Sequence, residues 1–452
     1  MKVLKFGGTS VGTVESLRNV KSIVESATEP VIVVVSALGG ITDKLINTAK
    51  LACNRDMNYR DQFQEIIDRH HSVIRGIVPT EYQNEVLEII NPLLEDLSDI
   101  YKGVSLIRDL SERTLNIIVS FGERMSSVIV SRVIKDARHF DSLDFIKTED
   151  WFGKNIADTE LTNRLIHEKF DNADFKVALV PGFISRDRDT GIITNLGRGG
   201  SDYTAAILAA ALNARVLEIW TDVDGFMTAD PRIIKNAQII DHLSFIESME
   251  LCNFGAKIIY PPTIYPVFHK NIPINLKNTF NPSAPGTWIT DDAPASKTTA
   301  RGISSINDTC MISVNGEHLT DNVDVIKSRI LNTLSKNGVS ILFVSHTSID
   351  KKIEFAVREN DSKNAIKLLK EEFAADGLLD ELTIENNLAT IAIVGENIKQ
   401  SHNLDNQLYK ALEINNIKIF AYSPASSKIN IAISVKADDL HKAMSLTHNF
   451  FF

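Results

Sequence analysis

The sequence is poor in cysteine, with three in 452 residues, Cys53, Cys252 and Cys310. They lie far apart and form no CxxC pair, which excludes a disulfide framework and fits a reducing cytosol. Long apolar runs are missing: none approaches the ~18 residues that a membrane span needs. Basic excess is missing too. Forty-eight Lys and Arg face 58 Asp and Glu, a net charge of −10, which argues against nucleic acid as the main partner. No signal peptide is legible, because MKVLKFGGTS reads as a strand running into a Gly turn. There is no HExxH, no Ser/His/Asp ordering and no His/Cys cluster with metal-ligand spacing. The adjacent His70-His71 pair falls in a charged helical stretch and reads as solvated.

What is present is ordinary globular composition, 44% apolar and 23% charged. The length suggests two or three domains at roughly 150 residues each. Met1–Phe6 alternates and stops at Gly7-Gly8, a helix follows over Val14–Ser26, and Pro30–Val35 is a β-branched run ending in Ser36–Gly40. Strand, Gly-rich turn, helix, strand is the pattern of an α/β fold with buried parallel strands. Residues 42–110 read as helical with breaks near Pro79 and Pro92, and residues 111–139 as one long helix. Further strands are expected at Phe175–Val180, Ala214–Trp220 and Pro273–Asn278, with a helix at Tyr203–Leu212.

The composition changes at residues 281–304, which are rich in Pro, Ser, Thr and Gly. Such a stretch reads as the end of one domain and a linker. Beyond it the element order is close to βαββα twice. The expected organisation is a first domain over 1–292, a linker over 293–304, and two small α+β modules over 305–385 and 386–452, either consecutive or interleaved.

Four Gly-containing loops carry candidate chemistry. In Lys5-Phe6-Gly7-Gly8-Thr9-Ser10, two glycines let backbone N–H groups approach an anion and Lys5 adds a point charge. Ser36–Asp43 is a second strand-end turn, in which Thr42 and Asp43 read first as caps of the next helix. Asn195–Asp202 opens a helix, and a Gly-rich turn at a helix N-terminus is an anion site by geometry. It lacks both GxGxxG and GK[ST], so neither a dinucleotide fold nor a P-loop is indicated. Arg198 between glycines suits a carboxylate or phosphate fork. The fourth loop, Trp220–Phe226, has Asp222 and Asp224 at Ca²⁺-loop spacing, but Phe226 breaks that pattern. Glu123 sits in an apolar helix as either a buried group that needs a partner or half of a surface pair with Arg124. Lys257 beside Gly255 is a helix-end lysine by the simplest reading. Many cations and N–H donors with no obvious base suit phosphoryl transfer.

The motifs KFGGTS (5–10), GGIT (39–42), FGER (121–124), LGRGGSDYTAA (196–206), WTDVDGFMTADPR (220–232) and FGAKIIYP (254–261) resemble the aspartate kinases of the amino-acid kinase family. The likeness runs in order over about the first 290 residues, and the C-terminal element pattern is similar to that family's paired ACT modules. The resemblance implies a mostly parallel sheet sandwiched by helices, followed by two ACT-like βαββαβ modules. It implies transfer of the γ-phosphoryl group of MgATP to the β-carboxylate of L-aspartate, the committed step towards lysine, threonine and methionine. The substrate carboxylate is ionised at pH 7 and needs no general base. On the family pattern Lys5, Gly7 and Gly8 hold the transferring group, and Asp202 orients donors around the phosphates. Arg198 forks the α-carboxylate of aspartate and Glu123 pairs its ammonium, with Thr42 and Ser201 adding contacts. Thr221, Asp222, Met227, Arg232, Lys257 and Ile258 join Lys5 around ATP; Met227 departs from the family, where Tyr is common. Mg²⁺ is held mainly by ATP and water, with no protein ligand named.

The resemblance also implies a cytoplasmic homodimer or larger assembly and an amino-acid effector, lysine first and threonine second. The expected effector residues are His318, Asp321, Asn337, Val339 and Ser340, although the strand Ser340–Phe343 lacks the acidic residue that lysine-sensitive relatives carry. With no later GxGxxG region, the sequence reads as monofunctional. Two rivals remain: a kinase for glutamate or N-acetylglutamate, and an inactive amino-acid sensor.

Overall fold

The structure, a computed structural model, describes every residue except 152–153, 295–297, 316–318, 348–351, 375–380, 401–403 and 424–428. Two compact units emerge, Met1–Phe226 with Ile259–Asp292, and Met227–Ile258 with Ala293–Phe452. By compactness, Met227–Ile258 groups with the C-terminal part. The cause is apolar packing, since Ala229 and Ile234 lie in one buried cluster with Ile391, Ile433 and Met444.

In the first unit, seven strands lie side by side in the order Thr287–Thr290, Ile274–Asn278, Leu217–Thr221, Lys2–Phe6, Val31–Val35, Val177–Pro181, Ala137–His139. Neighbours are parallel except for Thr287–Thr290 against Ile274–Asn278. The run Val31–Val35 is buried throughout, as expected of a parallel strand covered on both faces. In register, Phe6 faces Val35 and Trp220, and Val35 faces Pro181. The turns after four strands thus open at one edge, where ligands bind in open α/β sheets.

The helices Ile41–Cys53, Tyr59–Ile77, Thr80–Ile107 and Glu112–Val133 pack beside this sheet around one large apolar cluster. The expected break at Pro92 does not occur, and the helix runs through it. An interior proline costs ~3 kcal/mol, but Val86, Ile90, Leu94, Leu97, Tyr101 and Val104 bury one stripe on both sides of it. His70, expected in solvent, is fully buried, with Nδ1 2.8 Å from the Ile66 carbonyl oxygen. The long helix ends at Val133, and 137–139 form a strand instead of continuing it. A small sheet of Lys154–Ala157, Lys147–Trp151, Ile184–Asp187 and Ile193–Asn195, with the helix Thr159–Phe170, has no counterpart in the sequence reading.

The second unit contains a six-stranded antiparallel sheet, ordered Ile341–Thr347, Lys352–Arg358, Gly302–Asn315, Glu381–Val394, Asn430–Lys436, Ala421–Ser423. Its two central strands are long, and each is shared between two cores. Cys310, Ile312 and Val314 pack with Ile326, Phe355 and Leu369. Ile303 instead packs with Ile391, Leu408 and Ile431. The division falls at irregular pairing between Ile306 and Thr309, where Asp308 takes a positive φ of 57°. The two modules are therefore interleaved, the second borrowing its first strand from before the first. The end of the expected linker, Gly302–Ser304, belongs to that strand, with Ile303 2% exposed, and Ala300 just before it is buried. Among the described residues, no helix is long and apolar enough to cross a membrane.

Candidate active site

The turns at the sheet edge are drawn together by glycine. A Cβ on Gly39 would lie 2.9 Å from the Gly8 carbonyl oxygen, and one on Gly12 equally close to the same atom. Only glycines let these backbones approach so closely. The helix Ile41–Cys53 starts behind Gly40, and the helix Gly200–Ala211 behind Gly199, both left-handed with φ of 81° and 69°. Neither start has a side-chain cap. The capping role expected of Thr42 and Asp43 is thus not taken up, because both already lie inside the first turn. The orphan N–H groups of two helices are left for an anion.

These turns enclose a cleft of ≈ 310 Å³, lined by Lys5, Gly8, Thr42, Glu123, Arg198 and Asp202 among others. Lys5, at the end of its strand, pairs with Asp202 in the first turn of Gly200–Ala211; Nζ and Oδ1 are 2.6 Å apart, and both side chains are nearly buried. A buried pair does little for stability, but this one fixes an ammonium group between two N–H nests. Ser201 is buried and lines the same cleft.

Glu123 lies mid-helix in Glu112–Val133 and is 4% exposed. Its helix comes close to the second turn: a Cβ on Gly122 would sit 2.8 Å from the Ala37 Cβ. Burial pushes the Glu123 carboxyl up to about 8, opposed by a hydrogen bond with the Ala37 backbone. Its Oε2 is buried without a hydrogen-bond partner, so a buried acid faces the cleft with one oxygen unsatisfied. The surface Glu–Arg alternative falls away, since Arg124 stacks on Phe121 at 4.8 Å. Arg198 is exposed and makes no ion pair among the described residues. The cleft therefore offers a free guanidinium and a buried carboxyl, complementary to a zwitterion.

The remaining expected residues divide between the units. Gly7 donates its N–H to the Trp220 carbonyl at 3.3 Å. Thr221 ends its strand at the same edge and donates Oγ1–H to Asp222 Oδ1 at 3.2 Å. Asp224 accepts from the Asn278 and Asn281 amides at 2.8 and 3.1 Å, a turn brace. Met227, Arg232, Lys257 and Ile258 belong to the second unit. There Met227 bridges Ile239, Arg232 pairs with Asp230 at 2.6 Å, Lys257 is exposed and Ile258 is half-buried. Of the effector residues, Val339 is buried, Ser340 is exposed, and Asn337 donates to the Thr333 carbonyl at 2.8 Å. His318 lies outside the described residues, as does the side chain of Asp321. The sequence reading missed Phe183, which lines the cleft at a positive φ of 66°. Its signal was Pro181-Gly182 closing a buried apolar strand.

A parallel sheet with anion-binding turns at one edge, a lysine–aspartate pair and a zwitterion-sized cleft defines a class of α/β proteins that act on small charged metabolites. The chain belongs to the amino acid kinase family, which matches residues 1–278. An ACT domain family matches residues 312–373 and 391–451. A bifunctional aspartokinase/homoserine dehydrogenase of Buchnera aphidicola is 33% identical over 100% of this chain and 56% of its own length. The chain spans about half the length of the first curated relatives it matches. Aspartokinase 3 of Arabidopsis thaliana is 29% identical over 100% of this chain and 81% of its own. E. coli aspartokinase III in complex with aspartate and ADP superposes with a TM-score of 0.85 at 26% identity, covering 99% of each chain. The same protein with lysine and aspartate gives 0.75, covering 100% of each.

Proposed function

We propose that the chain is an aspartate kinase, transferring the γ-phosphoryl group of MgATP to the β-carboxylate of L-aspartate to give 4-phospho-L-aspartate. The observation that carries the reading is the cleft shared by Lys5–Asp202, Arg198 and Glu123. Arg198 forks the α-carboxylate, Glu123 takes the α-ammonium, and Thr42 and Ser201 add hydrogen bonds. The β-carboxylate is then directed at the γ-phosphoryl group, held at the turn of Gly7 and Gly8. It is already a nucleophile at pH 7, so no base is required. Lys5, held by Asp202, meets the negative charge that spreads over the transferring group. Thr221, Asp222, Met227, Arg232, Lys257 and Ile258 serve ATP, and Mg²⁺ arrives with the nucleotide as part of the substrate. The likeness to a protein solved with aspartate and ADP supports this assignment.

Regulation is part of the same reading. The ACT modules take an amino-acid effector, lysine before threonine, around His318, Asp321, Asn337, Val339 and Ser340, in a cytoplasmic homodimer or larger assembly. The first product stands at the head of lysine, threonine and methionine synthesis. An assay of ADP release with aspartate, glutamate and N-acetylglutamate, each with MgATP, tests the proposal. Turnover with aspartate alone supports it. Preference for either other acid makes the chain a different acid kinase, and no turnover with any makes it a sensor.

A further inference from the structure

A second cavity, of ≈ 390 Å³, lies on the same long helix as Glu123, and nothing in the proposed reaction uses it. Its volume falls within the range of small-molecule sites. Its walls combine Ile89, Leu93 and Val128 with Arg124, His139 and Asp141. Consecutive residues of one helix thus face two cavities, Glu123 the cleft and Arg124 this one.

The charges here are arranged in a particular way. Arg132, also at the cavity, is already paired with Glu85 at 2.6 Å. Arg124 is half-buried, stacked on Phe121, and makes no ion pair among the described residues. Arg186 lies near enough to oppose its charge rather than neutralise it. Asp141 is near enough to favour the Arg124 cation but not within ion-pair distance. One Asp141 oxygen accepts the Leu143 N–H at 3.0 Å. His139 is held by Ser127, Nε2 to Oγ 2.9 Å, and burial lowers its proton affinity, so it adds no charge at neutral pH. Asp96 also favours the Arg124 cation but does not line the cavity, so what remains on the walls is one guanidinium and one carboxylate that do not satisfy each other, beside an aliphatic wall. Phosphate or a dicarboxylate would meet Asp141 as a like charge. A cation would meet Arg124.

We infer that this cavity binds an α-amino acid with an apolar side chain: its carboxylate on Arg124, its ammonium at Asp141, and its side chain against Ile89, Leu93 and Val128. Arg124 follows Glu123 on one helix, and the inference extends to coupling between occupancy of the cavity and amino-acid binding in the cleft. That coupling rests on the proposed function; the binding does not.

The test is calorimetry on the full chain with L-leucine as probe, alongside 4-methylpentanoate, which lacks the ammonium, and 3-methylbutylamine, which lacks the carboxylate. The expected result is saturable L-leucine binding, with each analogue at least tenfold weaker. Arg124→Gln should abolish it. Since Arg124 also packs on Phe121, Val128→Trp provides a second variant that fills the cavity and leaves both charges in place; it too should abolish binding. Arg198→Lys, which alters only the cleft, should leave L-leucine binding unchanged. Absence of binding, equal binding of the analogues, or binding retained in a folded Val128→Trp chain would each overturn the inference. So would a change of oligomeric state in that variant with no ligand bound by the original chain, because the cavity would then be a contact between copies. A separate readout is the KM for aspartate, expected to shift with L-leucine in the original chain and not in Val128→Trp.

Discussion

Three residues carry opposed expectations in the cleft. Lys5 meets charge that develops in the transition state, so Lys5→Ala should lower kcat by at least a hundredfold with a smaller change in the KM for aspartate. Steady-state kinetics checks this, and an unchanged kcat removes Lys5 from the chemistry. Arg198→Lys keeps the charge but loses the planar fork. It should raise the KM for aspartate about tenfold or more, consistent with a bidentate contact worth over 1 kcal/mol, and leave the KM for ATP unchanged. Glu123 gives a pH signature. Its carboxyl is raised to about 8 by burial, so in the free protein it is protonated at pH 7. Pairing an ammonium requires the carboxylate, so aspartate binding below about pH 8 must expel that proton. Affinity should rise as pH increases from 6 to 8, and the binding heat should depend on the buffer's ionisation heat. Glu123→Gln should bind weakly and lose both dependences. For folding the sign is opposite: the raised value stabilises the fold below about pH 4.5, and that contribution is lost as pH rises through about 8.

At the level of elements, the strands and Gly turns around Lys5, Gly39 and Arg198 were legible because backbone chemistry writes itself locally. A β-branched run needs burial, and a Gly pair needs close approach. What the sequence concealed depends on neighbours. Pro92 should end a helix, yet the apolar stripe on both sides carries the helix through. His70 sits among charged residues in sequence, but packing turns it inward. The small sheet around Lys147–Trp151 was invisible because its strands are short and partly exposed, with little alternation to read. Glu123 was legible as anomalous, with burial as one of two readings that only the packing of its helix decides. His70 yields a test. Burial holds its imidazole down at about 4 against 6.5 when unfolded. The unfolded chain therefore takes up the proton first, and stability present above pH 6.5 is lost as pH falls towards 4, by roughly 3 kcal/mol. Urea unfolding at pH 7 and pH 5 should show a larger loss than in His70→Gln, whose pH slope should be shallower. Equal slopes would place the acid sensitivity elsewhere.

For the whole molecule, the interleaved modules make a prediction that consecutive modules do not. The second module needs the strand around Ile303, which precedes the first module in the chain. Replacing 307–387 by a short hairpin turn should leave the second module folded, because its strands at 302–306, 388–394 and 430–436 keep their pairing. Deleting 386–452 should instead strip the cover from Ala300 and Ile303 and drive aggregation. Circular dichroism and gel filtration of the two shortened chains distinguish these outcomes, and a soluble, folded 386–452 deletion would count against the interleaving. The central claim, however, concerns the cleft and is tested most directly by its product. Incubation of the full chain with MgATP, L-aspartate and hydroxylamine should trap an acyl phosphate as aspartyl hydroxamate in step with ADP release, and Lys5→Ala should abolish both. ADP release without hydroxamate, or hydroxamate formed equally by Lys5→Ala, would contradict the account.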